Sequence, residues 1–365
     1  MLKIRPSIIL LFVSLFFLNA AHSQNEYHLN LGEAKQNVVP THYYIQSVID
    51  RRKDPSVNGK VLASWGKALD VKFAGKPELE IYNYIYHSIT TDSSYVPIQV
   101  VIEKLSFSDR GSVSSHTLSL EVKISAVRII EGKEFVLYVT NGAPSYKSTG
   151  VSPGLAEKLL RQVLDSFISG FNEYANSNKE QQAFCKRAIA KFVYDDSYSN
   201  YKNADTIRWK QDYKLKWEDF EGNADPSSSF SAQSNCMFSY KASVDYKSGE
   251  MTLSLLIYPC FTKKASWVIR ENKQDGLLKH EQLHFDICEL YIRRLRKQIS
   301  ALELNLLDPG AQIRIAFERA WSDYQVAQSL YDEESRHGLI LDAQEKWETQ
   351  VKKNLDELEE FMTPS

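Results

Sequence analysis

The chain reads His-Glu-Gln-Leu-His at residues 280–284, inside a stretch from Leu277 to Lys297 that has the pattern of a single helix. Two histidines four apart lie on one helical face, one turn above the other, so both imidazoles reach a single metal ion. Glu281 then stands beside that ion, placed to take a proton from an activated water. Leu277, Leu278, Leu283, Ile287 and Leu290 give the helix a buried side, which does not suit a pair of merely solvated histidines. Zinc is the expected ion, with His280 and His284 as ligands and Glu281 as general base.

A catalytic zinc keeps three protein ligands and one open position. Cys288 follows one turn on, but eight residues span ~12 Å of helix axis, too far for one ion shared with His280. It is expected in the core. Glu289 lies ~180° around the helix from His280 and faces away. The third ligand therefore comes from another element. His337 is the other histidine of the C-terminal half, at the end of a second long helical stretch from Ala311 to about Arg336, with Gly338 placed to end it. An antiparallel return through Asp308-Pro309-Gly310 brings that end beside His280 and His284. His337 is the expected third ligand, with Asp332 or Glu333 as substitutes. Asp332 could instead orient a ligand imidazole through its second nitrogen. Tyr291, Tyr331 and Arg336 are all candidates for stabilising an oxyanion.

Lys3 and Arg5 precede an apolar run, Ile8–Leu18, that ends in small residues at Ala21 and Ser23. This is the layout of a cleaved secretory leader, residues 1–23, and the run is too short to span a membrane comfortably. Export to the periplasm or beyond follows, with no membrane span in the mature chain. Two of the 44 basic residues, Lys3 and Arg5, go with the leader, leaving 42 against 46 acidic ones. No basic stripe pairs with aromatics, so nucleic acid is not an expected partner. Cys185, Cys236, Cys260 and Cys288 remain, with no Cys-x-x-Cys pair to make a thiolate zinc site. In an oxidising compartment Cys236 and Cys260 are placed to bridge neighbouring strands, although four cysteines allow three pairings.

The fold class expected is α+β. Val39–Asp50, Pro97–Ser106, His116–Ile129 and Glu134–Thr140 are rich in β-branched and aromatic residues, and Leu118, Leu120, Val122 and Ile124 alternate with polar neighbours. Ser152-Pro153 opens a helix, with serine as cap and proline in the first turn. Its apolar face runs from Leu155 to Phe171. These elements form an α+β module over residues 24–178, in which His42, His87 and His116 are ordinary surface or strand histidines. A linker region follows over 179–205, containing a short helical piece and the polar run Tyr194–Asp205. Residues 206–365 make a second domain. Asn235–Tyr246 and Glu250–Phe261 form a hairpin around Lys247-Ser248-Gly249, followed by the motif helix, its partner, and a third helix over about Asp342–Phe361. A hairpin, an active-site helix and backing helices are the layout of a small metalloprotease.

Leu215–Gly222, Ser266-Trp-Val268, Leu277–Ile287 and Tyr331–Gly338 together resemble a bacterial domain-of-unknown-function family described as predicted secreted zinc-dependent proteases. The resemblance spans roughly Asp205 to Trp347. It implies a zincin-like fold and peptide hydrolysis, carries over His280, Glu281 and His284, and supports His337 through the Tyr-Asp-x-x-Ser-x-His-Gly block. Ser335 stands where threonine is more usual in that family, and Cys288 where alanine is. The Ile45–Val61 segment and the late helix of the first half are similar in outline to envelope auxiliary domains of bacteria, which implies an envelope partner.

The expected function is a secreted zinc peptidase acting on a peptide or protein substrate, with Met251–Tyr258 as the edge strand that holds an extended peptide. The competing readings are an envelope binding or assembly protein with a structural or vestigial zinc site, and a peptidoglycan amidase. Should the first half inhibit the site, removing residues 24–200 would raise activity.

Overall fold

The structure is a computed structural model and describes residues 25–32, 34, 37–152, 154–194 and 205–362. The expected leader, Pro153 and residues 195–204 of the connection lie outside the described residues.

Strands β1 (Glu26–Leu29), β2 (Tyr43–Asp50), β3 (Lys60–Leu62) and β4 (Ala68–Phe73) lead into helix α1 (Pro77–Ser88). Then come β5 (Val96–Ser112), β6 (Ser115–Ile130), β7 (Lys133–Gly142), β8 (Ser145–Ser148) and helix α2 (Leu155–Ser177). The main sheet has the order β2-β5-β6-β7, with β8 also on β6, and β1-β4-β3 form a smaller sheet. Leu118, Leu120, Val122 and Ile124 are buried, and α2 contributes Leu159, Val163, Phe167 and Phe171 to the same core. Burying side chains of this size contributes roughly 1.5–3 kcal/mol each. The helix does not start on Ser152. Gly154 takes the cap position at φ 80° with no side-chain cap, a left-handed conformation that glycine adopts at little cost.

The second half comprises β9 (Arg187–Phe192), β10 (Thr206–Arg208), β11 (Ala232–Gln233), β12 (Cys236–Lys247), β13 (Glu250–Thr262) and β14 (Trp267–Val268). Three helices follow, α3 (Asp275–Ser300), α4 (Pro309–Ser335) and α5 (Leu341–Glu357). Ser248 and Gly249, at φ 53° and 74°, join β12 to β13. A two-residue turn with both φ positive matches the twist of the flanking strands. The helical piece expected in the linker is a single 3-10 turn, Gln182–Phe184, and the residues after it form β9, which pairs in parallel with Glu250–Leu255. Ala188 and Ala190 share one face of this strand while Arg187, Ile189 and Lys191 share the other, a mixed pattern in which the alanines also suit a helix.

Two expectations about the hairpin fail for related reasons. Strand β13 carries β12 along one side and β9 and β10 along the other, so Met251–Leu255 has no free edge. The carbonyl of Ile257 accepts from buried Arg296. The outer strand is β12. Within the hairpin Cys236 stands opposite Phe261, and Cys260 opposite Met237. That one-residue offset turns the two thiols to opposite faces of the sheet, and all four cysteines are free.

Helix α3 runs through the centre of the second core, burying Leu283, Phe285, Ile287, Cys288 and Leu290. Helix α4 packs back against it and α5 closes the third side. This antiparallel return carries the end of α4 to the first turns of α3. Among the described residues no helix is long and apolar enough to cross a membrane.

Candidate metal centre

His280 and His284 face the end of α4 from adjacent turns of α3. Their Nε2 atoms are 3.1 Å apart, and Asp332 Oδ1 lies 3.1 Å from the first and 3.0 Å from the second. Tetrahedral bonds of 2.0–2.1 Å place neighbouring donors roughly 3.3 Å apart, so this triangle has the size a zinc ion needs. Each imidazole is fixed through its other nitrogen. Nδ1 of His284 sits 2.5 Å from Gln328 Oε1, and Nδ1 of His280 lies 3.4 Å from Gln344 Oε1. A ring that donates from Nδ1 to an amide oxygen keeps its Nε2 lone pair for a metal.

Both glutamines are themselves held. Gln328 donates to the His284 carbonyl at 3.0 Å, while Gln344 accepts from Tyr331 Oη at 2.6 Å and donates to Glu348 at 2.9 Å. The Tyr331 ring stacks on His280 at 4.7 Å. Gly338 also lies against this residue, where a Cβ would come 3.0 Å from His280 Cβ and 3.4 Å from its Nδ1. His280 thus occupies a slot that a tyrosine and a glycine define.

Helix α4 stops close to the expected Arg336. It ends at Ser335, and Arg336, His337 and Gly338 take φ values of 46°, 57° and 79°. Left-handed backbone at two non-glycine residues is costly, and here it is fixed by bonds from His337 N to Asp332 O and from Gly338 N to Ser335 Oγ. The turn delivers His337 Nδ1 to 3.3 Å from Asp332 Oδ1. Donor atoms of His280, Asp332 and His337 all fall within 4.8 Å of one another.

Glu281 is 3% exposed, and its Oε2 accepts from Ser234 Oγ. Both residues line a cleft of about 810 Å3 together with His280, His284, Asp332 and His337. Burial pushes the His284 imidazole down, but hydrogen bonding to Asp332 and the charges of Glu281 and Asp332 outweigh it, so its pKa is raised. Burial pushes Asp332 up, and bonds from His280 and His284 more than reverse this, holding its carboxyl well below the usual range.

The other sequence candidates are dispersed. Glu333 is exposed and lies outside the donor cluster. Tyr331 is fully buried, with its hydroxyl committed to Gln344, so it backs His280 instead of facing the cleft. Tyr291 packs beside Tyr324 and Arg294 and borders a different hollow. Of the three oxyanion candidates, Arg336 alone lines the cleft. Glu289 turns away as expected and pairs with Arg293 at 2.8 Å. Sequence reading missed Ser234, Gln328 and Gln344. Gln328 sits four residues before Asp332, which places both on one face of α4, and that spacing was the available signal. Ser234 and Gln344 carried none.

Residues 261–338 match the model of a family described as a bacterial protein of unknown function (DUF922). The match runs from the end of β13 through both helices to Gly338, so it takes in His280, Glu281, His284, Asp332 and His337. One solved structure, an uncharacterised protein, is 9% identical with a TM-score of 0.25 over 40% of this chain and 97% of that one. A protein from Xanthomonas campestris in the DUF330 family is 7% identical with a TM-score of 0.27 over the same shares. Scores this low carry no argument. No curated protein matches.

Proposed function

We propose that the C-terminal half is a zinc-dependent hydrolase of peptide bonds with a zincin-like arrangement, exported to the periplasm or beyond. The observation that carries this reading is the triangle of His280 Nε2, His284 Nε2 and Asp332 Oδ1 beside a carboxylate, Glu281, in one cleft. Zinc, when bound, supplies a polarised water and draws electron density from the scissile carbonyl. Ser234 holds Glu281 at the cleft wall, where it accepts the proton that water releases on attacking the carbonyl carbon. As the carbon–nitrogen bond breaks, Glu281 passes that proton to the leaving amine. Gln328 and Gln344 keep both imidazoles aimed throughout.

The test is metal analysis of the purified chain and of His280→Ala, followed by a peptide-cleavage screen with Glu281→Gln as control. One zinc per chain is expected, lost in His280→Ala and kept in Glu281→Gln. Turnover should drop by about 10²–10⁴-fold in Glu281→Gln. Unchanged turnover in that variant would remove the general-base role. A structural zinc in an envelope assembly protein is the second reading. It is favoured by the presence of a fourth donor atom, His337 Nδ1, at 3.3 Å from Asp332, since four protein ligands close a site.

A further inference from the structure

His337 and Asp332 both reach the centre, and their settings differ. Asp332 sits on the last full turn of α4, and its Oδ1 completes a nearly equilateral triangle with the two α3 histidines. His337 stands beyond the helix end with its side chain 47% exposed. Its ring centroid is 6.3 Å from that of His280, against 4.7 Å between His280 and His284. Phe230 packs on the His337 ring at 4.6 Å and lines the same cleft. The ligand histidines offer Nε2 inward and fix Nδ1 on amide oxygens. His337 is reversed, with Nδ1 turned to the aspartate.

From this we infer that Asp332 is the third metal donor, and that His337 is a substrate-facing residue held at Nδ1 by the outer lone pairs of Asp332. An ionised carboxylate has about four lone-pair sites, enough to ligate with one and accept from His337 with another. Fixing Nδ1 turns Nε2 away from the aspartate. With Nδ1 engaged, Nε2 is the nitrogen left to hydrogen-bond a substrate held in the cleft that His337 lines. No bond to His337 forms or breaks in this role. Phe230 sets the ring plane, and the left-handed turn at 336–338 sets its height above the helix end. The inference rests on the zinc reading above and assigns two residues that the sequence pattern alone interchanges.

The experiment measures zinc affinity by chelator competition, and the visible spectrum of the cobalt(II)-substituted protein. The chains compared are wild type, Asp332→Asn, Asp332→Ala, His337→Gln and His337→Ala, each checked for folding by circular dichroism. Both Asp332 variants should lose affinity by more than the 10–100-fold typical of a residue that only orients a ligand, and should change the cobalt band. Both His337 variants should keep one metal per chain, with affinity within about tenfold of wild type, and an unchanged cobalt band. On a peptide that the wild type cleaves, they should lower kcat with little change in KM.

Metal lost with His337 and kept with Asp332 would reverse the assignment. Loss in both sets would describe a closed four-donor site and end the catalytic role of His337. Retention in both sets would exclude Asp332 as a ligand. Full kcat in metal-loaded His337→Ala would remove the substrate-facing role. A wild-type chain that binds no zinc would overturn the zinc reading, a result distinct from any failure of the Asp332 and His337 roles.

Discussion

His116 in the first half and His284 in the second each sit against an aspartate, Asp109 at 2.6 Å and Asp332 at 3.0 Å. Both imidazoles are pulled down by burial, and both end up with raised pKa values because hydrogen bonds to their carboxylates outweigh it. Beyond that the two pairs diverge. The second nitrogen of His116 meets the carbonyl oxygen of Gly150 at 3.1 Å, so both ring nitrogens face acceptors and the ring serves to tie β6 to the loop after β8. His284 turns its Nε2 toward a point it shares with His280 and Asp332. What separates a structural histidine from a proposed metal ligand here is the direction of the nitrogen that the partner leaves over.

Paired substitutions separate these two uses most sharply. His280→Ala should abolish zinc binding while leaving the chain folded. His116→Ala should cost about 1–3 kcal/mol by removing a buried hydrogen-bond partner of Asp109, with zinc stoichiometry unchanged. Metal analysis alongside urea unfolding measures both, and loss of zinc from His116→Ala would break the contrast. Next in size is Gln328→Ala, which frees Nδ1 of His284 and should lower zinc affinity by about 10–100-fold with little effect on stability without metal.

The pH response sharpens the comparison in a different way. Each raised histidine stabilises the metal-free chain fully below the ordinary histidine range, and that contribution fades as pH rises through the raised value. Zinc inverts the sign for His284 alone, because it needs the neutral imidazole. Affinity should therefore fall about tenfold for each pH unit below the pKa of His284. The zinc-induced rise in Tm should accordingly be larger at pH 8 than at pH 6, and calorimetry showing the opposite trend would contradict the role of His284. The smallest effect is expected from Gly338→Ala. Its Cβ would press on His280 from a backbone at φ 79°, costing about 1–2 kcal/mol and weakening zinc retention.

The motif helix and its antiparallel partner were legible because both are long and carry clear helical periods, and the hairpin was legible from Ser248-Gly249. Helix α1 was not. Its segment follows Lys76 and opens on Pro77, and its buried set of Ile81, Tyr84 and Ile85 is too short to stand out from the surrounding strands. Strand β9 was misread because its identity depends on β13, which lies some sixty residues later. In the proposed metal centre the two histidines and Glu281 are placed together by their spacing within one helix. How Asp332 and His337 divide the site between them, and that Gln344 reaches it, depends on where three helices meet, and local periodicity does not encode that; only Gln328, one turn before Asp332, carries a local signal.

Strand β9 also governs where the molecule can be divided. It precedes the polar run that looks like a linker, yet it belongs to the second sheet. A chain begun at residue 201 would lack it and leave Glu250–Leu255 with exposed amides and carbonyls along one side. An uncovered row of that kind is a template for another chain. Cutting within the apparent linker would convert an interior strand into a self-association surface, and activity changes in such a fragment would report aggregation as readily as relief from inhibition.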